Sequence, residues 1–487
     1  MCFSEVSPVY RDLELDRFGL EVLYSEMYWA STWKDGKNVI IYIDPKKTAE
    51  SIARFSEKDA QTYLKIAGRM FPDVNPIMDL LFFSPPEYEK VDLLWEAGKR
   101  YADIDPEDFT NMNGFELYDL LFESEYVKLH FTAIAGIGIL GNFAERGEGA
   151  VSGLFSLYVP FGLAKGGTHN IVHSLVRCFK AHGGTLLLNA PVERVIVENG
   201  TARGVLLSEE SPYPERELRA RQAVELNISP PVALRMIGEE NAKKASPEFW
   251  RKLKDYSLVG WSPCDSFYLL RDLPRWRSDE WNPDIRKAFL VYRAWDSWEH
   301  CKAYFGADEN EEIFKILGDT GELFVPAALD PSQRSAEGYC TFTFEAEYPF
   351  FLRRYGGPRK WDDPAFKEEI HKIHTDIMEE LAPGFKNLIL DSFVDSPVDI
   401  WRRNAAVVYG AEILQEPFGR QWYTGAVPYR APIPHLYFTG GVWPIGFTNF
   451  ATGYNAAGVM AEDLGVRKRP WWTSRPMDYW LKKMGLA

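Results

Sequence analysis

Two adjacent glycines near the C-terminus, Gly440 and Gly441, have the residue type and the spacing of a phosphate-binding turn. They follow a short apolar run, residues 436–438, and precede a stretch of small residues that predicts a helix from Ala451. Glycine accepts positive φ and lets the backbone approach a ligand closely. The first turn of a helix leaves N–H groups unpaired and carries a partial positive charge. The segment therefore predicts a site for a phosphate or for the electron-rich edge of a reduced flavin ring.

A second glycine pair, Gly166 and Gly167, predicts another turn that leads into a helix. The apolar side of that helix consists of Ile171, Leu175, Val176 and Phe179. A strand is expected directly afterwards, at residues 185–189. This order of turn, helix and strand is typical of an α/β protein.

A β-hairpin is predicted next. Residues 191–197 alternate between apolar and polar side chains, and Asn199-Gly200 is a strong turn signal before the apolar residues 204–207. A further short strand is expected at 223–226.

Two further helices are indicated by their N-terminal residues. Ser56 is a typical N-cap before a helical pattern, and Asp363 is a cap with Pro364 in the first helical position. The second of these helices repeats apolar residues at helical spacing as far as Leu381. Residues from about 56 to 150 are mostly helical in pattern and predict a lid or substrate module.

Composition limits the class of protein. The chain has 487 residues, of which 46% are hydrophobic, enough to bury a large core in two or three domains. Its net charge of -15 disfavours nucleic acid and anionic membranes as partners. The N-terminus has no signal-peptide pattern, and the longest apolar run, 131–140, is too short to span a bilayer. We expect a cytoplasmic protein without membrane insertion.

No metal site is expected. The five cysteines contain no Cys-x-x-Cys pair, which favours a reducing compartment. His371 and His374 have the i, i+3 spacing of metal ligands, but no third ligand lies near them in sequence. We interpret them as surface histidines. His130 and Lys165 are likewise interpreted as structural rather than catalytic residues.

Three collinear segments resemble the phytoene-desaturase-like FAD oxidoreductases, which include carotenoid desaturases and isomerases. These segments read GGTHNIVHSLVRCFKAHGGTLLLNAPVERVIVENGTARGVLL, LAPGFKNLILDSFVDSPVDIWRRN and HLYFTGGVWPIGFTNFATGYNAAGVM. The resemblance runs from about Arg11 to Gly465. It implies FAD as the cofactor and an oxidoreductase activity in which the flavin accepts a hydride or its equivalent.

The resemblance also implies site residues. Val192 would present its backbone to the adenine of FAD, and Gly440 and Gly441 would approach the pyrophosphate and ribityl chain. The other cofactor-binding residues would be Gly446, Asn449, Phe450, Ala451 and Thr452, of which Asn449, Phe450 and Ala451 would lie against the isoalloxazine. Neither the resemblance nor the residue types identify a catalytic base.

The implied fold is a two-domain α/β architecture. A Rossmann-like FAD-binding domain, incomplete at its N-terminus, would comprise residues 1–55, 160–235 and 391–465. An interleaved substrate domain of mixed sheet and helices would comprise 56–159 and 236–390. Residues 466–487 would form an aromatic C-terminal tail that packs on a neighbouring domain or subunit.

One feature of the family pattern is missing from the sequence. Members open with a strand, GxGxxG and a helix, followed by an acidic residue about 20 positions on; this chain has no such opening. We expect that a separate small subunit supplies this unit, that the sequence starts late, or that FAD is bound in another way. Gly136, Gly138 and Gly141 satisfy GxGxxG by letter, but the polar segment after them is a poor helix, which favours tight helix packing instead.

An apolar substrate pocket is expected beside the flavin. Aromatic residues make up 15% of the chain, and Trp443, Phe447 and Tyr454 lie close in sequence to the proposed ring site. An elongated or aromatic hydrophobic small molecule would fit such a pocket. Three functions remain open: a dehydrogenase or desaturase subunit in an oligomer or heteromer, a non-catalytic or regulatory subunit that keeps the fold without its cofactor, and a flavin-dependent isomerase.

Overall fold

The architecture is taken from a computed structural model, which describes most of the chain. The described residues are 7–79, 83, 94–134, 143–157, 162–256, 261–305, 320–405, 407–410, 429–440, 450–467, 475 and 477–486.

Helices surround the sheets. They are Pro8–Asp12, Pro45–Ala53, Glu57–Met70, Val74–Met78, Pro106–Asn111, Gly114–Leu121, Glu125–Thr132, Glu148–Phe155, His169–Ala181, Pro230–Ile237, Glu239–Ala245, Pro247–Lys254, Trp298–Phe305, Pro364–Leu381, Phe385–Leu388, Pro397–Arg403, Ala451–Asp463 and Asp478–Lys483, with a π-helical turn at Gly98–Ala102. Within the described ranges, none of them combines the length and apolar character needed to cross a bilayer.

Fourteen strands are assigned in the described ranges. They are β1 Val22–Leu23, β2 Met27–Thr32, β3 Asn38–Tyr42, β4 Leu163–Ala164, β5 Val192–Glu198, β6 Thr201–Leu207, β7 Glu217–Arg219, β8 Val224–Asn227, β9 Trp261–Leu270, β10 Leu290–Arg293, β11 Gly321–Phe324, β12 Cys340–Pro349, β13 Ile389–Asp395 and β14 Leu436–Thr439. They form a seven-stranded sheet in the order β13-β9-β12-β11-β10-β2-β3, the three-stranded sheet β5-β6-β7, and the pairs β1-β4 and β8-β14.

The strands β2, β3 and β10 of the seven-stranded sheet are buried on both faces, whereas β9, β12 and β13 carry the exposed side chains of Leu269, Thr341 and Phe393. Along β3, Val39 and Ile41 pack among the helices of residues 57–157, whereas Ile40 and Tyr42 belong to the core that includes the helix Pro364–Leu381. This alternation follows from the two-residue period of a strand. The sheet thus separates two cores. Its neighbouring strands pair in antiparallel fashion, except for β2 and β10, which are parallel.

The strands of this sheet cross the domain boundaries that the sequence suggested. β2 and β3 come from the range 1–55, and most of β13 comes from 391–465, yet all three lie in one sheet with β9 to β12. The mixed sheet of the expected substrate domain therefore includes segments that had been grouped with the cofactor domain. The domain boundaries themselves stay a prediction.

Most of the local predictions are confirmed. The hydroxyl of Ser56 accepts a hydrogen bond from the N–H of Asp59 at 3.1 Å, and the carboxylate of Asp363 accepts one from the N–H of Ala365 at 2.9 Å. These caps start the helices Glu57–Met70 and Pro364–Leu381. The predicted hairpin is β5-β6, with Asn199 and Gly200 at φ 50° and 74°.

The strand predicted at 185–189 is wrong for the chain as described. These residues lie outside any helix or strand, and no strand of the described ranges pairs with them. The residue pattern favours a strand, but a strand forms only where a neighbour accepts its backbone hydrogen bonds.

The interpretation of His374 as a surface residue is also wrong. Its ring is buried, with Ser266 Oγ 2.8 Å from Nδ1, Tyr348 Oη 3.0 Å from Nε2, and Phe344 stacked on it at 4.2 Å between ring centroids. Burial lowers the pKa of His374 from its ordinary 6.5 to about 3. Both nitrogens have hydroxyl partners, which makes this a structural histidine.

The buried His374 should make the fold sensitive to acid. The folded state keeps the ring neutral down to about pH 3, whereas the unfolded chain binds a proton below 6.5. Stability should therefore fall with decreasing pH across this window, by up to about 1.4 kcal/mol per pH unit for this group. In urea unfolding between pH 7 and pH 5, His374→Gln should lower stability at pH 7 and lose less on acidification than wild type.

The matched control is Ile377→Val, one turn further along the same helix and also buried. It should lower stability by about 1 kcal/mol and keep the wild-type dependence on pH. Equal pH dependence in wild type and His374→Gln would contradict the prediction.

Candidate functional site

The predicted cofactor turn lies at the end of a parallel strand pair. β14 runs parallel to β8, with Leu436 opposite Val224 and Phe438 opposite Leu226. These apolar residues share one face and pack with the helices Pro230–Ile237 and Pro247–Lys254. A parallel sheet normally has both faces covered, so the opposite face is where further elements or ligands are expected.

That opposite face is only partly covered. Tyr437 packs under Ala456 and Val459 of the helix Ala451–Asp463, whereas Glu225 and Asn227 of β8 are exposed. Desolvation raises the pKa of the Glu225 carboxyl even though its side chain is exposed.

Backbone geometry at both ends of the connecting loop is unusual. Gly440, directly after β14, has φ 126°, and Phe450, the N-cap of the helix Ala451–Asp463, has φ 78°. Positive φ strains a residue with a Cβ atom, and such strain often marks functional sites. The N-cap makes no side-chain hydrogen bond to the first turn of the helix. The dipole of a 13-residue helix therefore lacks a side-chain cap at this point.

The far end of the same helix is fixed to β14. Arg430 donates to both carboxylate oxygens of Asp463 at 2.7 Å, and the hydroxyl of Tyr437 donates to Asp463 Oδ2 at 2.7 Å. This environment raises the pKa of Tyr437 to about 12, through burial first and the adjacent carboxylate second. Arg430 and Asp463 were missed from the sequence, because no motif links two residues so far apart in the chain.

The predicted residues at the start of the helix lie between two cores. Ala451 and Tyr454 are buried with the helices of residues 57–157, and Tyr454 meets Phe83 edge-to-face at 6.2 Å between ring centroids. Phe450 is half-buried and packs against this core and against the small cluster that includes Ile171. The structure thus brings Phe450, Ala451 and Tyr454 together at one helix end, next to the buried Thr452.

Other predicted residues cannot be placed. Gly441, Trp443, Gly446, Phe447 and Asn449 lie outside the described residues, as does the GxGxxG segment at 136–141.

Val192 is described, and it opens β5 opposite Leu207. The hairpin of Val192 is connected to the candidate site through the N–H of Ala202, which donates to the carbonyl of Pro434 at 3.1 Å, just before β14.

The glycine turn at Gly166 and Gly167 already holds an anionic group. It has the form of a strand, turn and helix, with φ 74° and 103° at the two glycines. The N–H of Gly166 donates to the carboxylate of Asp330 at 2.6 Å. In the structure this turn therefore binds a carboxylate of the protein itself.

A small crevice lies elsewhere, on the seven-stranded sheet. Its lining includes Glu322, Glu345, Glu347 and Tyr304, and contains none of the predicted site residues. Its three carboxylates distinguish it from the apolar pocket that the sequence suggested. The described residues bring no group of three metal-ligating side chains together.

Comparison with known proteins shows the wider relationship. No protein-family model matches the sequence. One subunit of limonene dehydrogenase from Castellaniella defragrans is 24% identical, over 97% of this chain and 86% of that protein. Pyridine nucleotide-disulfide oxidoreductase domain-containing protein 2 from Rattus norvegicus is 22% identical, over 94% of this chain and 83% of that protein.

Among solved structures, wild-type putrescine oxidase bound to putrescine superposes with a TM-score of 0.55 at 14% identity, over 95% of this chain and 87% of that one. The predicted fold class is confirmed. The chain has the Rossmann-like, mixed α/β fold of the FAD-binding oxidoreductases, and it is similar to flavin oxidoreductases along nearly its whole length.

Proposed function

We propose that this chain is the substrate-binding and flavin-contacting subunit of an FAD-dependent dehydrogenase that oxidises a hydrophobic small molecule. The observation that carries the proposal is the end of the helix Ala451–Asp463: it has no side-chain cap, and it follows a parallel strand and Gly440 at φ 126°. The first-turn N–H groups and the helix dipole at such an end stabilise negative charge.

The described residues fit part of a flavin site. A Cβ atom at Gly440 would be strained at its φ, so the backbone there can approach a ligand that a side chain would keep away. Ala451 and Thr452 would contribute first-turn N–H groups, and the ring of Phe450 would cover one edge of the site. A bound flavin would supply the acceptor for a hydride equivalent. The chain's own residues would orient the substrate and exclude water.

A second polypeptide would supply the dinucleotide-binding glycine turn. The turn at Gly166 is filled by Asp330, and in the described residues the sheet that carries Gly440 has only the strands β8 and β14. The relative from Castellaniella is named as one subunit of its enzyme, which supports a multi-subunit assembly. Placement within the phytoene-desaturase-like enzymes remains part of this proposal.

The apolar surroundings of the helix end support a hydrophobic substrate. Phe450, Tyr454 and Phe83 are in mutual contact or share one core, and Trp443 and Phe447 are close to Phe450 and Tyr454 in sequence. The relative named as a limonene dehydrogenase indicates one substrate class to test, the monoterpenes.

Replacement of Gly440 should abolish flavin binding. The protein, purified with the product of any adjacent gene that encodes strand, GxGxxG and helix, should show absorption near about 370 and 450 nm. In Gly440→Ala these bands should be lost after gel filtration, because the new Cβ atom strains the turn and enters the cofactor's space.

Gly384→Ala is the matched control. Gly384 also has positive φ, 92°, but it lies before the helix Phe385–Leu388 and its Cβ atom would meet no atom within 4 Å. Both variants should lose about 1–2 kcal/mol of stability, and only the Gly440 variant should lose its colour. A colourless wild-type complex would instead indicate a subunit that keeps the fold without its cofactor.

The substrate class can be tested by anaerobic bleaching of the oxidised flavin's absorption band, which is expected at about 450 nm. Limonene should bleach it, whereas putrescine, a flexible dication, should not, since an apolar pocket does not compensate the loss of its hydration. Bleaching by putrescine alone would overturn the proposed substrate class. Conversion of limonene to an isomer without bleaching would indicate an isomerase.

A further inference from the structure

The helix His169–Ala181 has apolar residues on two sides, and one side is only partly covered. Ile171 and Cys178 pack into the core near Leu15 and Leu20. The second stripe, Val172, Leu175, Val176 and Phe179, has the spacing i, i+3, i+4, i+7 of a helix face that packs against another element. Leu175 is partly buried against the same core and Val176 is half-buried, whereas Val172 is 59% exposed and Phe179 is 49% exposed.

The exposed stripe continues into the segment 185–188. The ring of Phe179 lies over Gly184, where an added Cβ atom would approach it to 2.4 Å. Beyond it, Leu186 is 43% exposed and Leu188 is 65% exposed. In the described ranges these residues have the sequence of a strand but no strand partner. We call Val172, Leu175, Val176, Phe179, Leu186 and Leu188 the 172–188 patch.

Contiguous exposed apolar surface of this kind is unusual in a soluble chain and marks an interaction site. Four of the ten large apolar side chains that are exposed in the described part of the chain fall within these 17 residues. Scattered single exposed residues need no explanation, but this concentration does.

The charge around the patch indicates the occupant's chemistry. Residues 149–192 contain no Asp or Glu, although the chain as a whole carries -15. Lys180 and Arg177 lie exposed on the same helix. An apolar patch with a basic rim on an acidic protein favours a partner with an apolar stripe and an acidic rim, and disfavours a second copy of this chain.

Strand pairing in the candidate site, outside the 172–188 patch, indicates the occupant's fold. The pair β8-β14 also has an open side. The N–H of Val224 donates to the carbonyl of His435 at 2.8 Å, towards β14. Because the backbone N–H groups of successive strand residues point in opposite directions, those of Glu225 and Asn227 point away from β14. Two-stranded sheets are marginal on their own, and parallel strands need neighbours. The segment 185–188 and the edge of β8 both lack an adjacent strand in the described ranges.

We propose that the 172–188 patch docks a separate, acidic polypeptide that contributes a β-strand beside residues 185–188 and a helix against Val172 and Phe179. This inference rests on the proposed function, because the docked polypeptide would be the subunit that completes the flavin site. The partner adds its strand by backbone pairing, and the leucines and Phe179 provide the apolar contact area.

The test measures binding without relying on flavin. The probe is the purified product of the adjacent gene that carries strand, GxGxxG and helix. Titration of this probe into the full chain, followed by calorimetry and sedimentation, should give a one-to-one complex. In hydrogen exchange, the amides of residues 185–188 should become protected in the complex.

The variant Leu186→Asp/Leu188→Asp should weaken binding by roughly a hundredfold or more, because it places charge in an apolar interface. Both residues are exposed, so the variant should fold, which circular dichroism checks. Leu120→Asp is the matched control: Leu120 is 61% exposed but lies on the helix Gly114–Leu121, outside the patch. It should bind the probe as wild type does.

Each remaining outcome is decisive. Unchanged binding by Leu186→Asp/Leu188→Asp would overturn the docking surface, even if the complex contained flavin and so supported the proposed function. A complex that needs the two leucines but is colourless would uphold the docking surface and refute the proposed function. Three other results would overturn the proposal. The wild type could associate with itself in a way that this variant abolishes, it could bind to phosphatidylserine vesicles, or no gene for such a partner could be found.

Discussion

The geometry of the candidate site depends on one hydrogen-bonded junction, in which Asp463 accepts from Arg430 and Tyr437. A helix is rigid over four turns, so fixing its last turn to β14 also fixes the position of its first turn. The bidentate geometry from arginine and the additional hydroxyl make this junction stronger than an isolated surface ion pair. The direction of the N–H groups near Ala451 therefore depends on contacts at the other end of the helix. At the usual rise per residue, these contacts lie about 18 Å away along the helix axis.

The large sheet provides the second constraint. Its strands β2, β3 and β10 are packed on both faces, and the helix end at Phe450 lies beside one of the two cores. The proposed substrate-binding and cofactor-binding parts are thus connected through packing. This arrangement suits an enzyme in which a substrate must be held firmly against a planar ring.

Local elements were predictable wherever the signal was local. The caps at Ser56 and Asp363 and the turn at Asn199 depend on neighbouring residues, and all three were found. Sheet membership was not predictable, because the parallel pairing of Ala30 with Val291 has no local signature. The environment of His374 was missed for the same reason: its partners Ser266 and Tyr348 are distant in sequence.

The site itself was predictable in part. Gly440 and the start of the helix at Ala451 came from residue type and spacing, whereas the junction of Arg430 with Asp463 and the filling of the Gly166 turn by Asp330 required the fold. The strand expected at 185–189 was wrong, because a strand depends on a pairing neighbour and the described part of the chain provides none there.

The pairing of β2 with β10 has a consequence for how the protein is made. β2 pairs locally with β3, but its parallel partner β10 is made only after more than half of the chain has left the ribosome. Until then, the β2-β3 hairpin has no further strand of the sheet to join on its β2 side, and long-range pairing of this kind is slow. Newly made chains should depend on chaperones during synthesis, and production in a heterologous host should benefit from slow expression at low temperature.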